Sequence, residues 1–178
     1  MNHADHVNLI KPANLDLNPA SWADLGAGSG AFTFALRELI GSSASIYAVD
    51  KDSSSLNELK REYESRFQNS ENLNIIIGDF SKPLNLPPFD GILMANSLHF
   101  FKDKVKLLQH IKLFLKPNGK LIMIEYNVDK GNLWVPYPFS FPTFKKLCSE
   151  AGFEEPKLLA THPSRFLAGF YSAMTFVK

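Results

Sequence analysis

From residue 21 onward, short apolar runs alternate with longer segments in which apolar side chains return every third or fourth position. Residues 21–25 form the first run and enter a glycine cluster, and residues 31–40 follow with Phe34, Ala35 and Leu39 at helical spacing. The unit repeats. Residues 45–49 read as a strand ending at Asp50, and 53–67 as a helix that opens on serines suited to capping. The β-branched run 73–77, closed by Gly78, reads as a third strand, and 81–88 with its prolines as a loop. Residues 92–96 read as a fourth strand and 120–126 as a fifth. Between them 102–115 has Val105, Leu108, Ile111 and Leu115 at helical spacing, closed by Pro117, Asn118 and Gly119. The last third departs from this rhythm: 132–142 is rich in proline and aromatics, 144–151 is a helix ended by Gly152, and 157–161 and 170–177 form a terminal strand pair. This alternation predicts an α/β, doubly wound, mostly parallel seven-stranded sheet covered by helices on both faces, with an antiparallel strand entering at the C-terminus.

The length suits one domain over 1–178, with 1–20 as an extension expected to be mobile and 127–142 as a loop on the substrate side. With 45% hydrophobic and 21% charged residues the chain can build a core. A formal charge of +1 gives no whole-molecule field toward nucleic acid or an anionic membrane, and neither is expected as a partner. The lysines of 102–116 follow a helical pattern and read as a solvated face. Cys148 stands alone in an apolar run and reads as a small core residue. The N-terminal residues lack the apolar stretch of a secretory leader, and no run approaches the length of a membrane span, so a cytoplasmic location is expected.

Candidate chemistry begins at DLGAGSG, residues 24–30, between the first strand and its helix, where glycines let the backbone turn tightly and approach a ligand. Gly26, Gly28 and Ala31 also satisfy a dinucleotide fingerprint, with Asp50 near the distance of a ribose-binding acid. An NAD-dependent oxidoreductase is therefore a competing reading of these residues.

Asp24, Gly26, Gly28 and Gly30, an acid before three alternate glycines, resemble the first motif of the class I S-adenosylmethionine-dependent methyltransferases. Residues 48–50, AVD, resemble the second motif; 78–80, GDF, the third; 89–100 the fourth-strand motif; and 115–125 the usual helix end, turn and fifth strand. The resemblance runs from about residue 21 to 125 and rests on the order and spacing of the motifs. It implies a Rossmann-like methyltransferase fold, S-adenosylmethionine as cofactor, and a small-molecule acceptor. It further implies that Asp24, with Leu25 and the glycines, holds the methionine portion, directly or through water. Asp50 and the adjoining Lys51 would hold the ribose diol, Asp79 and Phe80 the adenine, and Asn96 would contact the cofactor from the fourth strand.

Methyl transfer from a sulfonium needs chiefly orientation, with a base only where the nucleophile carries a proton. His99, just past the fourth strand, is the candidate base, and it reads equally as a packing wall. Glu125, Tyr126, Trp134 and Tyr137 are candidates for the substrate side. NSLH at 96–99 lacks the Asn/Asp-Pro-Pro-aromatic motif that marks methylation of adenine or glutamine amide nitrogens, and no residue spacing suggests a bound metal. With so short a segment before the first strand, the acceptor side is expected to be open to a larger substrate, closed by 127–141, or completed by a partner. A domain that binds the cofactor without turnover and serves a partner is the further competing reading.

Overall fold

The computed structural model describes residues 1–15 and 20–178. Its strands form one seven-stranded sheet in the order β3-β2-β1-β4-β5-β7-β6. They are β1 (Ser21–Leu25), β2 (Ser45–Asp50), β3 (Leu73–Ile77), β4 (Phe89–Ala95), β5 (Leu115–Tyr126), β6 (Lys157–His162) and β7 (Phe170–Phe176). The first five run parallel, while β7 lies antiparallel to both β5 and β6, as the terminal strand pair predicted. The central strands are buried on both faces: Ala23, Leu25, Ile92, Leu93, Met94, Ile122, Met123 and Ile124 are all fully enclosed. That is why they read as continuous apolar runs rather than as alternating ones.

Helices α2 (Ala31–Ile40), α3 (Ser53–Phe67), α4 (Lys104–Lys112) and α5 (Phe141–Ala151) pack on this sheet. The serines at the start of α3 are not its cap. Asp52 holds that place, accepting from the Ser54 amide at 2.9 Å and the Ser55 hydroxyl at 2.7 Å. α4 is shorter than its apolar spacing suggested, because Asp103 caps it at the Lys106 amide and a separate 3-10 turn, Leu98–Phe100, precedes it. Lys104 also departs from the solvated face read for this segment. It is buried, its Nζ donates to the Phe101 carbonyl at 2.7 Å, and it stands over the rings of Tyr137 and Phe139. Burial pulls its ammonium below the usual lysine range, against the opposing field of Glu125.

Mobility was expected of 1–20, of which 16–19 lie outside the described residues. The first residues instead form α1 (His3–Ile10). Asn2 and Asp5 exchange side-chain and backbone hydrogen bonds in a capping box, and Leu9 and Ile10 are fully enclosed in the core beside Phe32 and Leu36 of α2. Cys148 is wholly buried as expected, and burial pushes its thiol up to about 12, which leaves it inert as a nucleophile.

Candidate functional site

In the order 3-2-1-4-5 the direction of winding reverses between β1 and β4, and open α/β sheets bind ligands beyond the strand ends at such a point. A cleft of about 290 Å³ lies there, lined by Gly26, Asp50, Lys51, Gly78, Asp79, Phe80, Asn96, Ser97, Phe100 and Phe101. The ends of β1, β2, β3 and β4 each contribute to it. A larger groove of about 500 Å³ lies on the outer side of the glycine loop, between α1, α2 and α3. Arg66 pairs there with Glu62 at 2.7 Å, but the groove lies away from the strand ends, so the smaller cleft at the switch point is the stronger ligand site.

Asp50 is held rigidly: Oδ2 accepts from the Gly28 amide at 2.8 Å and Oδ1 from the Asp52 amide at 2.9 Å. Each oxygen keeps a lone pair, so the carboxylate can still accept from two adjacent hydroxyls. The same bond removes the Gly28 amide from the donors that a pyrophosphate would need. Asp79 offers Oδ1 to the amide and hydroxyl of Ser81 at 2.9 and 2.6 Å, which leaves Oδ2 for a ligand donor. That Ser81 hydroxyl, with the Ser81 amide and Lys82, holds its carboxyl below the usual range. Phe80 is buried against Phe101, with ring centroids 5.4 Å apart.

Asn96 adopts the left-handed region at φ 51°, and its buried Oδ1 has no hydrogen-bond partner among the described residues. An orphaned acceptor on a cleft wall is the mark of a missing donor. Gly26, at φ +84°, passes so close to the end of β4 that a Cβ would stand 2.6 Å from Ser97 Cβ. Gly28 has φ +51° but open space around it. Gly26→Ala is therefore expected to lower stability by about 2 kcal/mol or more and to narrow the cleft, against about 1 kcal/mol for Gly28→Ala. Thermal denaturation of the two variants side by side checks this; equal losses would contradict the close contact.

Not every residue of the first motif reaches the cleft. Leu25 is sealed in the core, Gly28 and Gly30 lie outside the cleft lining, and Asp24 sits one layer back. Its carboxyl accepts from the Thr33 hydroxyl at 2.6 Å, and burial, with Asp50 adding to it, pushes the pKa up to about 7. A contact through water is the way left for it to serve a ligand ammonium.

Past β4, His99 is 3% exposed and Glu125, at the end of β5, is fully buried. Glu125 was read from the sequence as facing the substrate; it instead stands behind His99. Its Oε2 meets His99 Nδ1 at 2.7 Å, and its Oε1 accepts from the Leu98 and His99 amides at 3.1 and 3.2 Å. With Nδ1 committed, Nε2 is the edge of the ring left for an acceptor. Tyr126 packs on Phe170 at 4.2 Å and lies 6.3 Å from His99, and the Tyr137 amide donates to the His99 carbonyl at 3.0 Å. Of the substrate-side candidates, Trp134 and Tyr137 face solvent, while the neighbouring Phe139 is buried.

Fold and site together define a doubly wound protein with a cleft that holds two carboxylates and a phenylalanine at its topological switch point and a buried histidine and glutamate pair beyond the end of β4. A family model for a methyltransferase domain matches residues 20–158, and the chain belongs to that family. Over 120 residues it is 28% identical to the ribosomal protein L11 methyltransferase of Prochlorococcus marinus, a match covering 66% of this chain and 37% of that protein. Over 111 residues it is 28% identical to the demethylmenaquinone methyltransferase of Lactococcus lactis, covering 62% and 43%. The chain thus spans less than half the length of these two relatives. The solved structure of the YcgJ protein of Bacillus subtilis shares the fold with a TM-score of 0.80, at 12% identity and 99% coverage of both chains.

Proposed function

We propose that residues 1–178 form a methyltransferase domain that moves a methyl group from S-adenosylmethionine to a small, aromatic acceptor bearing a proton on its nucleophilic atom. The observation that carries this reading is the single cleft onto which Asp50, Asp79, Phe80 and the orphaned Asn96 Oδ1 converge, with His99 on the next turn. S-adenosylmethionine supplies a methyl group already activated by its sulfonium. Asp50, flanked by Lys51, would accept from the ribose hydroxyls, Asp79 Oδ2 would accept from the adenine amine, and Phe80 would offer its ring to the base. Asn96 Oδ1 takes a donor of the cofactor, and Asp24 supports the methionine end behind the glycine loop.

His99 Nε2 would take the proton of the acceptor as its nucleophilic atom bonds to the methyl carbon and the carbon–sulfur bond breaks, with S-adenosylhomocysteine as the leaving group. Glu125 is a positioning residue: it accepts from Nδ1, fixes the tautomer and stabilises the imidazolium that results. The two relatives are named for different acceptors, a ribosomal protein and demethylmenaquinone. The aromatic rim of Phe100, Tyr126 and Tyr137 around a buried base favours the small ring over a protein segment. The test is formation of S-adenosylhomocysteine on mixing the chain, S-adenosylmethionine and a panel of phenols and hydroquinones. Turnover is expected with at least one aromatic hydroxyl. Tight cofactor binding without turnover on any acceptor would favour a non-catalytic binding domain that acts with a partner.

A further inference from the structure

Five large apolar side chains stand exposed around the acceptor side: Leu133 at 97%, Trp134 at 76%, Phe100 at 59%, Phe166 at 52% and Tyr137 at 44%. They come from three separate segments, the 3-10 turn after β4, the connection after β5, and the turn between β6 and β7. Contacts gather these segments about one centre. Phe100 lies 4.3 Å from the His99 ring, Tyr126 bridges His99 and Phe166 at 6.3 and 6.0 Å, and the Tyr137 amide bonds to the His99 carbonyl. Each segment also carries an exposed cation close in sequence to its apolar residue: Lys102, Lys130 and Arg165. None of the three forms an ion pair among the described residues. The nearby acids are held within the chain, Asp103 by the Lys106 amide and Asp129 by the amide and hydroxyl of Ser140, and they keep their negative charge; Arg165 is the cation with no acid beside it in sequence.

We infer that this rim docks on an anionic lipid bilayer and that the acceptor is an apolar molecule drawn from it; the inference rests on the methyl-transfer reading above. Apolar side chains with interleaved cations are the combination that holds a protein at such an interface, since either signal alone binds weakly. The tip is pre-organised for insertion, because Asn132 Oδ1 accepts from the amides of both Trp134 and Val135 at 2.9 Å. The net charge of +1 makes the attraction local, felt within about 10 Å of the membrane. Among the described residues no helix is long and apolar enough to cross a membrane.

The chain carries its own reporter. Trp22 is buried at 3% exposure and Trp134 is not, so a change in tryptophan emission on adding vesicles reports Trp134. With vesicles of equal parts phosphatidylcholine and phosphatidylglycerol, emission is expected to shift to the blue, and with phosphatidylcholine alone it is expected to stay. Lys102→Gln, Lys130→Gln and Arg165→Gln together should weaken vesicle binding about a hundred-fold, each cation being worth about five-fold. No shift on either vesicle, equal shifts on both, or a dimer in solution that already shields Trp134 would overturn the inference. Binding of S-adenosylhomocysteine, measured in the same preparation, tests the underlying reading separately. If that ligand binds and the vesicles do not, only the docking surface falls.

Discussion

His99→Gln lowers kcat about a thousand-fold on an acceptor whose nucleophile carries a proton, the middle of the range for loss of a general base. The expectation follows from the Nδ1 to Glu125 contact of 2.7 Å, which orients the ring and leaves Nε2 as the edge for proton transfer. Glutamine keeps most of the buried volume, and binding of S-adenosylhomocysteine should stay within a few-fold of the unsubstituted chain, which shows that the site is folded. Glu125→Gln should lose about ten- to a hundred-fold and shift the pH profile of kcat, because it keeps the shape and removes the charge that stabilises the imidazolium. A packing role for His99 predicts otherwise: stability would fall, and turnover per folded molecule and its pH profile would not change.

Asp24→Asn is the second large effect, and it appears in stability. The carboxyl is raised from 3.8 to about 7 by burial, so the folded state holds its proton through a range in which the unfolded chain has released it. The stabilising contribution is fully present below pH 4 and is lost as pH rises through about 7. At about 1.4 kcal/mol per unit this amounts to on the order of 4 kcal/mol above pH 7. Asparagine keeps an acceptor for the Thr33 hydroxyl and does not ionise. The variant should therefore match the parent near pH 4 and be several kcal/mol more stable at pH 8. Chemical denaturation at the two pH values measures the difference, and a gap independent of pH would mean that Asp24 does not titrate in this window.

The alternation of strands and helices along the chain, the reversed strand β7 and the glycine turn were legible because they depend on local patterns, while the convergence of Asp50, Asp79, Phe80 and Asn96 on one cleft was implied by the resemblance of the motifs in their order. What was not legible depends on contacts across long separations. Glu125 sits 26 residues beyond His99, and only the parallel register that pairs Ala95 with Ile124 brings the two strand ends level. Residue type alone suggested that a glutamate at a strand end meets the substrate. Lys104 was read as solvated from lysine spacing, whereas its place at the start of α4 turns its ammonium to the Phe101 carbonyl and two aromatic rings. α1 had a readable signal, Asn2 followed three positions later by Asp5 before Val7, Leu9 and Ile10. Its short apolar stretch resembled a loose terminus until α2 offered a face to bury it.

The central claim is that the cleft holds an adenosyl cofactor and no dinucleotide. Calorimetric titration of the chain with S-adenosylmethionine, S-adenosylhomocysteine and NAD, beside Asp50→Ala, tests it most directly. The account predicts that both adenosyl ligands bind, that Asp50→Ala weakens them about a hundred-fold by removing two charge-assisted hydrogen bonds, and that NAD does not bind. Binding of NAD without the adenosyl ligands would contradict it and return the glycine loop to an oxidoreductase.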